Sequence, residues 1–453
     1  MSRGAGGRPT LPEAIADFLS FSRQTSGAVE ELRRFSLGQW EQTLTWLHNA
    51  GLALYFLQKL RDAGAAGLVP MSVLSRLEKN RTANQQRVVH MAEQFRCLNQ
   101  SFDNAGVKFA VIKGFSLIPQ FCRDACLRHQ ADFDYLVDDR SLPAAQRVVE
   151  GFGYSMKKRS AEEFVFAMPS ARIPATVDEL YCARAPHAVE LHLTMWDSEL
   201  HGVPLARPRF HVDRTIFHHW QGLVFPVLDE EDAFLLQVIH VLHHIFTYWV
   251  RMSSLLEVGY FLNQRAHDSQ LWNRIEARVG DDLVLREFAV VVTEIAAQFC
   301  GAPIPPTVRI WGYELRPAVR VWIDTYARRC DFGSDPLRRF NFFPCTKLIL
   351  FLHQQYLPEA KSRRRLTLFR LLPFKRSVGT EHSTNNQPSF PRQWRRLYRR
   401  QHLFRRLIFH LTAGLRYAWE IPRWRRLNRI ARHLAPLEGR EVGAGDISLI
   451  RKL

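Results

Sequence analysis

Apolar residues in the first hundred positions recur at the spacing of three and four that one face of a helix requires. Residues 40–64 show this pattern, and after Pro70 residues 73–102 show it over a longer stretch. The triplet 104–106 (Asn-Ala-Gly) follows, and a glycine commonly lies just past the C-terminus of a helix. The pattern predicts an N-terminal region built of two long amphipathic helices.

Beyond Gly106 the apolar positions come in short runs, rich in β-branched and aromatic residues, that are typical of strands. Two segments with helical spacing lie between these runs. Together they predict a small mixed α and β unit at residues 106–197. The predicted strands are residues 107–112, 132–137, 164–168 and 188–195, and the predicted helices are residues 115–121 and 142–151.

Helical patterns return after residue 228. The acidic run 229–232 precedes a long apolar run at 233–262, and acidic residues suit a helix N-terminus, where backbone N–H groups are unpaired. Residues 281–300 predict a further helix, which Gly301 closes. The order predicts an α+β protein in which a small mixed β-sheet core is flanked by N-terminal helices and a C-terminal helical region. We divide the chain into an N-terminal helical region (1–105), an α/β core (106–228), a helical domain (229–379) and, from the polar linker 380–391 onward, a C-terminal module (380–453).

The composition limits the class of protein. Of the 453 residues 46% are apolar, enough for a buried core in two or three domains of ~150 residues. The seven cysteines are odd in number and include no Cys-x-x-Cys pair, which argues against a disulfide framework or a cysteine-based zinc site. The first 19 residues lack the apolar core of a signal peptide, and no apolar run approaches the ~18 residues of a spanning helix. We therefore expect a cytoplasmic protein that is soluble or lies on a membrane surface.

Two aspartates stand two positions apart in one predicted strand. Successive strand side chains point to opposite faces, so Asp132 and Asp134 share a face, ~7 Å apart along the strand, and Phe133 and Tyr135 face the packing side. Paired carboxylates repel each other unless a cation lies between them, and oxygen ligands suit Mg²⁺. Such a pair can bridge the ions of two-metal phosphoryl chemistry. On this motif alone, a solvent-facing Asp pair at a strand edge is the alternative.

Two further motifs flank the aspartates. Lys113 and Gly114 end the preceding strand, and such a turn, with the nearby hydroxyl of Ser116, can bring donors to a phosphate. An ordinary strand-to-helix turn is the alternative. Downstream, Glu190 and His192 share one face of a strand. Glu190 could complete a metal site and take the proton from an attacking hydroxyl, or the segment could be an amphipathic edge strand.

The order of these motifs resembles the uncharacterised bacterial nucleotidyltransferase family of the polymerase β-like superfamily. The resemblance extends to the helical lead-in from Trp40 and to a helix with His240 and His244, and it covers roughly residues 35–265. It rests on Ile112-Lys113-Gly114, Phe121, Arg128, the strand Asp132-Phe133-Asp134-Tyr135-Leu136-Val137 and Val189-Glu190-Leu191-His192.

The resemblance implies a metal-dependent enzyme that transfers an NMP group from an NTP to a hydroxyl acceptor, which the sequence does not identify. It implies Mg²⁺, or Mn²⁺, as the cofactor. By the same resemblance the ions are held by Asp132, Asp134 and Glu190, the triphosphate is faced by Lys113, Gly114 and Ser116, and phosphate charge is neutralised by Arg128.

The chain also departs from the superfamily pattern. Phe115 stands between Gly114 and Ser116, Glu190 takes the place of the commoner Asp, and aromatic residues replace the usual aliphatics of the aspartate strand. These departures keep a second hypothesis open. In it the chain is a catalytically inactive nucleotide- or nucleic-acid-binding protein that has kept the fold.

Three histidines lie on one predicted helix. His240 and His244 are four residues apart, a spacing that can bind a metal, but no Glu follows His240 as in His-Glu-x-x-His. We expect a helix that lines the cleft or packs against the α/β core, with His192, His240 and His244 as possible cleft residues.

The net positive charge lies in one segment. The chain has 62 basic and 44 acidic residues, and residues 361–432 hold 20 of the basic and two of the acidic ones, so the rest has 42 of each. In that segment residues 394–419 also carry an apolar helical stripe. Residues 392–432 could bind an anionic membrane surface, on the inner face of the membrane. A stripe packed on the protein's own core is an equal alternative, and nucleic acid is less favoured.

Overall fold

The computed structural model describes residues 9–22, 25–169, 178–205, 210–247, 250–329, 347–372 and 392–434. In these ranges the protein is α+β, with helices before and after one mixed sheet of seven strands, as the sequence predicts. The N-terminal helices are α1 (Leu11–Leu19), α2 (Thr25–Leu32), α3 (Leu37–Asn49), α4 (Ala53–Asp62) and α5 (Met71–Asn104).

The single helix predicted for residues 40–64 is wrong, because the chain breaks between α3 and α4. Gly51 has a φ of +71°, which lies outside the range of helical residues. The backbone N–H of Ser253 donates to the carbonyl of Ala50 at 2.9 Å, so a distant segment packs against the break. The apolar spacing continues across the break, which is why the periodicity alone did not reveal it.

The sheet has the order β3-β4-β5-β2-β1-β7-β6. Its centre is mixed: β2 runs antiparallel to β1 and parallel to β5, and β7 runs parallel to β1. The four predicted strands are all present, whereas β3, β6 and β7 were not predicted. The strands are β1 (Phe109–Ile112), β2 (Asp132–Val137), β3 (Ser155–Arg159), β4 (Glu163–Ala167), β5 (Ala188–His192), β6 (Thr215–Trp220) and β7 (Leu223–Leu228), and the helices among them are α6 (Leu142–Gly151) and α7 (Ser198–His201).

The two faces of the sheet have different tasks. One face packs on α5 and α6 through a cluster rich in aromatic rings, where Phe95 lies between Phe133, Tyr135 and Phe225. Such a cluster gives the sheet a rigid support. The other face carries the aspartates of β2, which therefore point towards the helices that follow the sheet.

The helices after the sheet form the larger core. The acidic run 229–232 does begin a helix, with the Asp229 carboxylate accepting from the N–H of Asp232 at 2.9 Å. The predicted helix at 281–300 is present, capped by Asp282 and closed by Gly301 at a φ of +64°. These helices are α8 (Glu230–Thr247), α9 (Met252–Arg265), α10 (Ser269–Val279), α11 (Leu283–Cys300), α12 (Pro306–Tyr313), α13 (Pro317–Thr325), α14 (Ile349–His353), α15 (Ala360–Leu371) and α16 (Arg392–Leu434).

The C-terminal helix α16 is 43 residues long and contains Pro422. Its second half packs on the body, where Tyr417 is buried and Trp424 stacks on Phe351 with ring centroids 4.8 Å apart. Its middle does not, since the exposed surface fraction is 56% for Leu411 and for Leu407 alike. The middle of α16 therefore does not pack its apolar stripe on the core, so the alternative in which the whole stripe of residues 394–419 packs there is wrong for this part of the helix. The linker predicted at 380–391 lies outside the described residues, and none of the described helices has the length and apolar character needed to cross a membrane.

Candidate active site

The centre of the sheet brings the predicted carboxylates together. Because β2 and β5 run parallel with Asp134 opposite Glu190 and Leu136 opposite His192, these side chains share one face. Asp132 lies on the same face, opposite Ala188. Residues 58 positions apart in the sequence thus become neighbours through strand register alone.

Asp134 is the hub of this face. Its Oδ1 accepts from the Nζ of Lys113 at 2.6 Å and lies 3.0 Å from the Nε2 of His192. The same imidazole nitrogen is 3.4 Å from Oε2 of Glu190. The side chain of Asp134 is 1% exposed, whereas that of Glu190 is 19% exposed. Asp134 is thus a buried charge with two partners, and Glu190 is partly exposed.

The two aspartates titrate in opposite directions. Burial, with the carboxylates of Asp134 and Glu190, raises the pKa of Asp132 to about 7. Burial also opposes ionisation of Asp134, but the ammonium of Lys113 and the hydrogen bond with His192 outweigh it and hold its pKa well below the usual value. Burial and Lys113 lower the pKa of His192, yet its hydrogen bonds to the carboxylates raise it overall. Negative charge is therefore fixed at Asp134.

The donor atoms fit a divalent cation. Asp134, Glu190 and His192 each place one ligand atom within 4.8 Å of the others, the only such group of three in the described ranges. Two carboxylate oxygens and one imidazole nitrogen are donors that Mn²⁺ accepts, and the oxygens suit Mg²⁺. Asp132 lies outside this trio. Three carboxyl groups, those of Asp132, Asp134 and Glu190, face one ammonium, that of Lys113, and a bound cation would favour the ionised form of Asp132.

The turn after β1 has an unusual backbone. Lys113 and Gly114 have φ values of +58° and +50°, and a Cβ at Gly114 would lie 2.5 Å from the amide of Gln130. Gln130 in turn donates to the carbonyl of Asp132 at 2.9 Å, so the turn is packed against the start of β2. The hydroxyl of Ser116 donates to the carbonyl of Lys113 at 2.7 Å. The three predicted triphosphate residues therefore form one tight turn beside Asp134.

Phe115, which stands between Gly114 and Ser116, has a packing role. Its side chain is 1% exposed and stacks on Trp220 with centroids 4.5 Å apart. It also contacts Phe95 and Phe133 on the supporting side of the sheet. The inserted aromatic thus points away from the carboxylates and anchors the turn.

Arg128 is held by a partner from the helical region. Its Nε donates to Oε1 of Glu257 at 3.2 Å, and the hydroxyl of Tyr55 donates to the same oxygen at 2.9 Å. Burial would lower the pKa of Arg128, but the carboxylate of Glu257 raises it above its usual value. Arg128 is also close enough to Asp132 to lower the pKa of that carboxyl. This pair joins the segment that leads into β2 to α9.

The histidines of α8 lie near Lys113. Burial is the first cause that lowers the pKa of His240, His243 and His244, and the ammonium of Lys113 adds to it in each case. The rings of His240 and His244 are 4.4 Å apart, and His243 lies 2.9 Å from His201 through their ring nitrogens. No third ligand joins either pair in the described ranges. These histidines form a neutral wall.

Arg87 is a positioning residue that sequence reasoning missed. It is 1% exposed, and its guanidinium donates to the carbonyls of Gln130, Cys182 and Ala185, at 2.6 to 3.1 Å. These bonds tie α5 to the segments that enter β2 and β5. The sequence does contain a signal for this burial. Arg87 lies at the helical spacing of the residues that α5 buries, where an arginine exposed to solvent would not be expected.

Residues 36–301 match the model of a family described as uncharacterised nucleotidyltransferases. The chain belongs to this family. The match runs from α3 to the end of α11 and includes the whole sheet, the turn after β1 and the α8 wall. The family description indicates a transferase, and no curated protein matches the sequence.

Proposed function

We propose that this chain is a metal-dependent nucleotidyltransferase of the polymerase β-like type, which transfers an NMP group from an NTP to a hydroxyl acceptor. One observation carries the proposal: Asp134, Glu190 and His192 converge on the sheet face that also holds Lys113. Carboxylates beside a tight glycine turn are the combination that nucleotidyl transfer requires, with ligands for ions next to donors for phosphate.

The cation would be held by Asp134 and Glu190, with His192 and Asp132 on the same face. When bound, Mg²⁺ or Mn²⁺ would stabilise the charge that develops on the transferred phosphate. His192 already lies within hydrogen-bonding distance of Asp134, so it orients this carboxylate towards the cleft.

Lys113 would change partner when substrate binds. Its ammonium lies 2.6 Å from Asp134 and balances the negative charge of this carboxylate. A cation bound to that carboxylate would balance its charge instead. The ammonium would then be free to bind a phosphate oxygen. Gly114 belongs to the same turn and would present its backbone N–H to the triphosphate. The hydroxyl of Ser116 would exchange its bond to the Lys113 carbonyl for a bond to phosphate. Arg128, which Glu257 holds in place, would add positive charge near Asp132.

The proton of the acceptor hydroxyl needs a base. Glu190 keeps 19% of its side-chain surface exposed, against 1% for Asp134, so it is the carboxylate of this pair that an acceptor can approach. In this proposal Glu190 takes the proton while the hydroxyl oxygen attacks the α-phosphate and pyrophosphate leaves.

Pyrophosphate release tests the proposal. Purified protein is incubated with Mg²⁺ or Mn²⁺, each NTP and a set of acceptors that includes proteins, RNA 3′ ends and sugars. Asp134→Asn is the test variant, and Asp139→Asn, an exposed aspartate just after β2, is the matched control. We expect the loss of a metal ligand to slow release by roughly 1,000-fold, with the control unchanged. Full activity in Asp134→Asn would refute the site.

The alternative, a catalytically inactive nucleotide-binding protein, predicts a different result. Nucleotide that binds in equilibrium dialysis, with no pyrophosphate released for any acceptor, would favour a nucleotide-binding protein that kept the fold. The chain's family membership would stand in either case.

We also propose that α16 holds the protein on an anionic membrane surface at the cytoplasmic face. Leu411, Leu415 and Trp419 recur at one face of the helix and are 56%, 70% and 84% exposed. The surrounding segment holds the whole excess of positive charge. An apolar stripe among arginines is typical of helices that lie in a membrane interface.

A further inference from the structure

A groove of about 610 Å³ lies at the C-terminal end of α16, away from the sheet. It is bounded by α16, by α15 and by the turn at Gln354 that follows α14. A volume of this size is typical of sites for small molecules. Among the described residues no acidic one lines it, and its basic residues are Arg363, Arg425, Arg429, Arg432 and His433.

The four arginines of the groove have no carboxylate partner in the described part of the chain. Arginines elsewhere in the body do, as Arg265 pairs with Glu230 at 2.6 Å and Arg320 with Glu294 at 3.0 Å. Arg425 and Arg429 are one helical turn apart, and like charges at this spacing repel each other. The groove therefore concentrates positive charge that nothing in the described ranges balances.

The groove also contains a buried polar atom without a partner. Asn428 is 8% exposed, its amide nitrogen donates to the carbonyl of Trp424 at 2.8 Å, and its Oδ1 has no partner among the described residues. The opposite wall is fixed, since the amide of Gln354 donates to Thr367 and to Tyr417 at 2.6 and 3.1 Å. This wall is therefore held in place, whereas the four arginines of the groove are exposed to solvent.

We propose that this groove binds a multiply charged phosphate-bearing anion, at a site separate from that of the NTP. Guanidinium groups match the geometry of phosphate oxygens through paired hydrogen bonds, and four arginines line this groove. The elements that form the groove carry none of the carboxylates of the sheet, so this inference stands or fails independently of the transferase chemistry.

Calorimetric titration of the full chain with inorganic tripolyphosphate tests the groove. EDTA is present, so that the carboxylates of the active site repel the anion. The test variant is Arg425→Gln/Arg429→Gln. Its matched control is Arg423→Gln/Arg426→Gln, which removes the same charge from exposed positions of the same helix that do not line the groove.

We expect the groove variant to raise the Kd for tripolyphosphate roughly tenfold or more, and the control to change it less than about twofold. Circular dichroism verifies that both variants fold. An equal loss in the two variants would show a diffuse charge effect and overturn the proposal, as would the absence of tripolyphosphate and vesicle binding by the unmodified protein.

A second arm identifies the source of the phosphate. The same proteins are sedimented with vesicles of phosphatidylcholine, with and without phosphatidic acid. Groove-dependent binding of tripolyphosphate supports a soluble phosphate ligand. Groove-dependent binding that occurs only with phosphatidic acid supports the same site with a lipid headgroup as its ligand.

Discussion

Asp132 and Asp134 are chemically identical and stand on one strand face, yet their surroundings differ. Without metal, Asp132→Asn removes a carboxylate that burial and Asp134 disfavour, so we expect the free energy of unfolding at pH 8 to rise by about 0.5–1 kcal/mol. Asp134→Asn leaves the ammonium of Lys113 without its nearest partner and should lower it by about 2–3 kcal/mol.

Urea unfolding in EDTA measures both changes. Asp139→Asn, an exposed aspartate beyond the end of β2, serves as the control and should stay within about 0.5 kcal/mol of the unmodified protein. A stabilising Asp134→Asn would contradict the assignment of Asp134 as the charge partner of Lys113.

The ammonium of Lys113 is expected to bind the triphosphate. A charge-assisted hydrogen bond to phosphate is worth about 1.5–3 kcal/mol, so Lys113→Ala should lower kcat/KM for the NTP roughly 10- to 100-fold, chiefly through KM. Lys108→Ala is the control, because Lys108 is 65% exposed and pairs with Asp213 instead. Steady-state kinetics with varied NTP give the answer, and an unchanged KM for the NTP would remove Lys113 from the triphosphate site.

Among the elements, the break between α3 and α4 has a cause that can be tested. Gly51 has a φ of +71°, and a Cβ there would lie 2.5 Å from the hydroxyl of Ser253. We expect Gly51→Ala to lower the free energy of unfolding by about 1–3 kcal/mol. Gly38 lies inside α3 with open space around it, so Gly38→Ala should raise the free energy by about 0.5–1 kcal/mol.

Thermal and urea unfolding of these two glycine variants compare the same chemical change in two settings. A neutral Gly51→Ala would contradict the positive φ and the close approach of Ser253 as the reason for a glycine at the break.

Charge and apolar surface are distributed unevenly over the protein, and this distribution predicts how it binds a membrane. We expect the full chain to sediment with anionic phosphatidylglycerol vesicles. Binding should weaken with salt without vanishing, because salt screens the arginines and not the apolar stripe. Leu411→Ser/Leu415→Ser should weaken it roughly tenfold or more, since each buried leucine contributes about 1.5–3 kcal/mol.

Leu283→Ser/Ile310→Ser is the control, because these residues are also exposed but lie outside α16. No binding to anionic vesicles at low salt would end the membrane proposal. An RNA titration over the same salt series tests the remaining alternative, binding to nucleic acid. Such binding falls steeply with salt and needs no apolar face.

Local patterns in the sequence were sufficient for what depends on neighbouring residues. The alternation of β2 placed Asp132 and Asp134 on one face, with Phe133 and Tyr135 buried on the other. The helix at 142–151 and the glycine that ends α11 followed from spacing and caps in the same way. Periodicity and capping act over a few residues, so they can be read without the fold.

Tertiary structure decided everything that depends on register and burial. It set Glu190 and His192 against Asp134, joined Arg128 to Glu257 across 129 positions, and broke the first predicted helix. It also distinguished two aspartates that the sequence presents as equivalent, because desolvation and the position of one ammonium have no local signature. The edge strands β3 and β6, with few buried residues, escaped prediction for a related reason: their pairing comes from the sheet and not from an apolar pattern of their own.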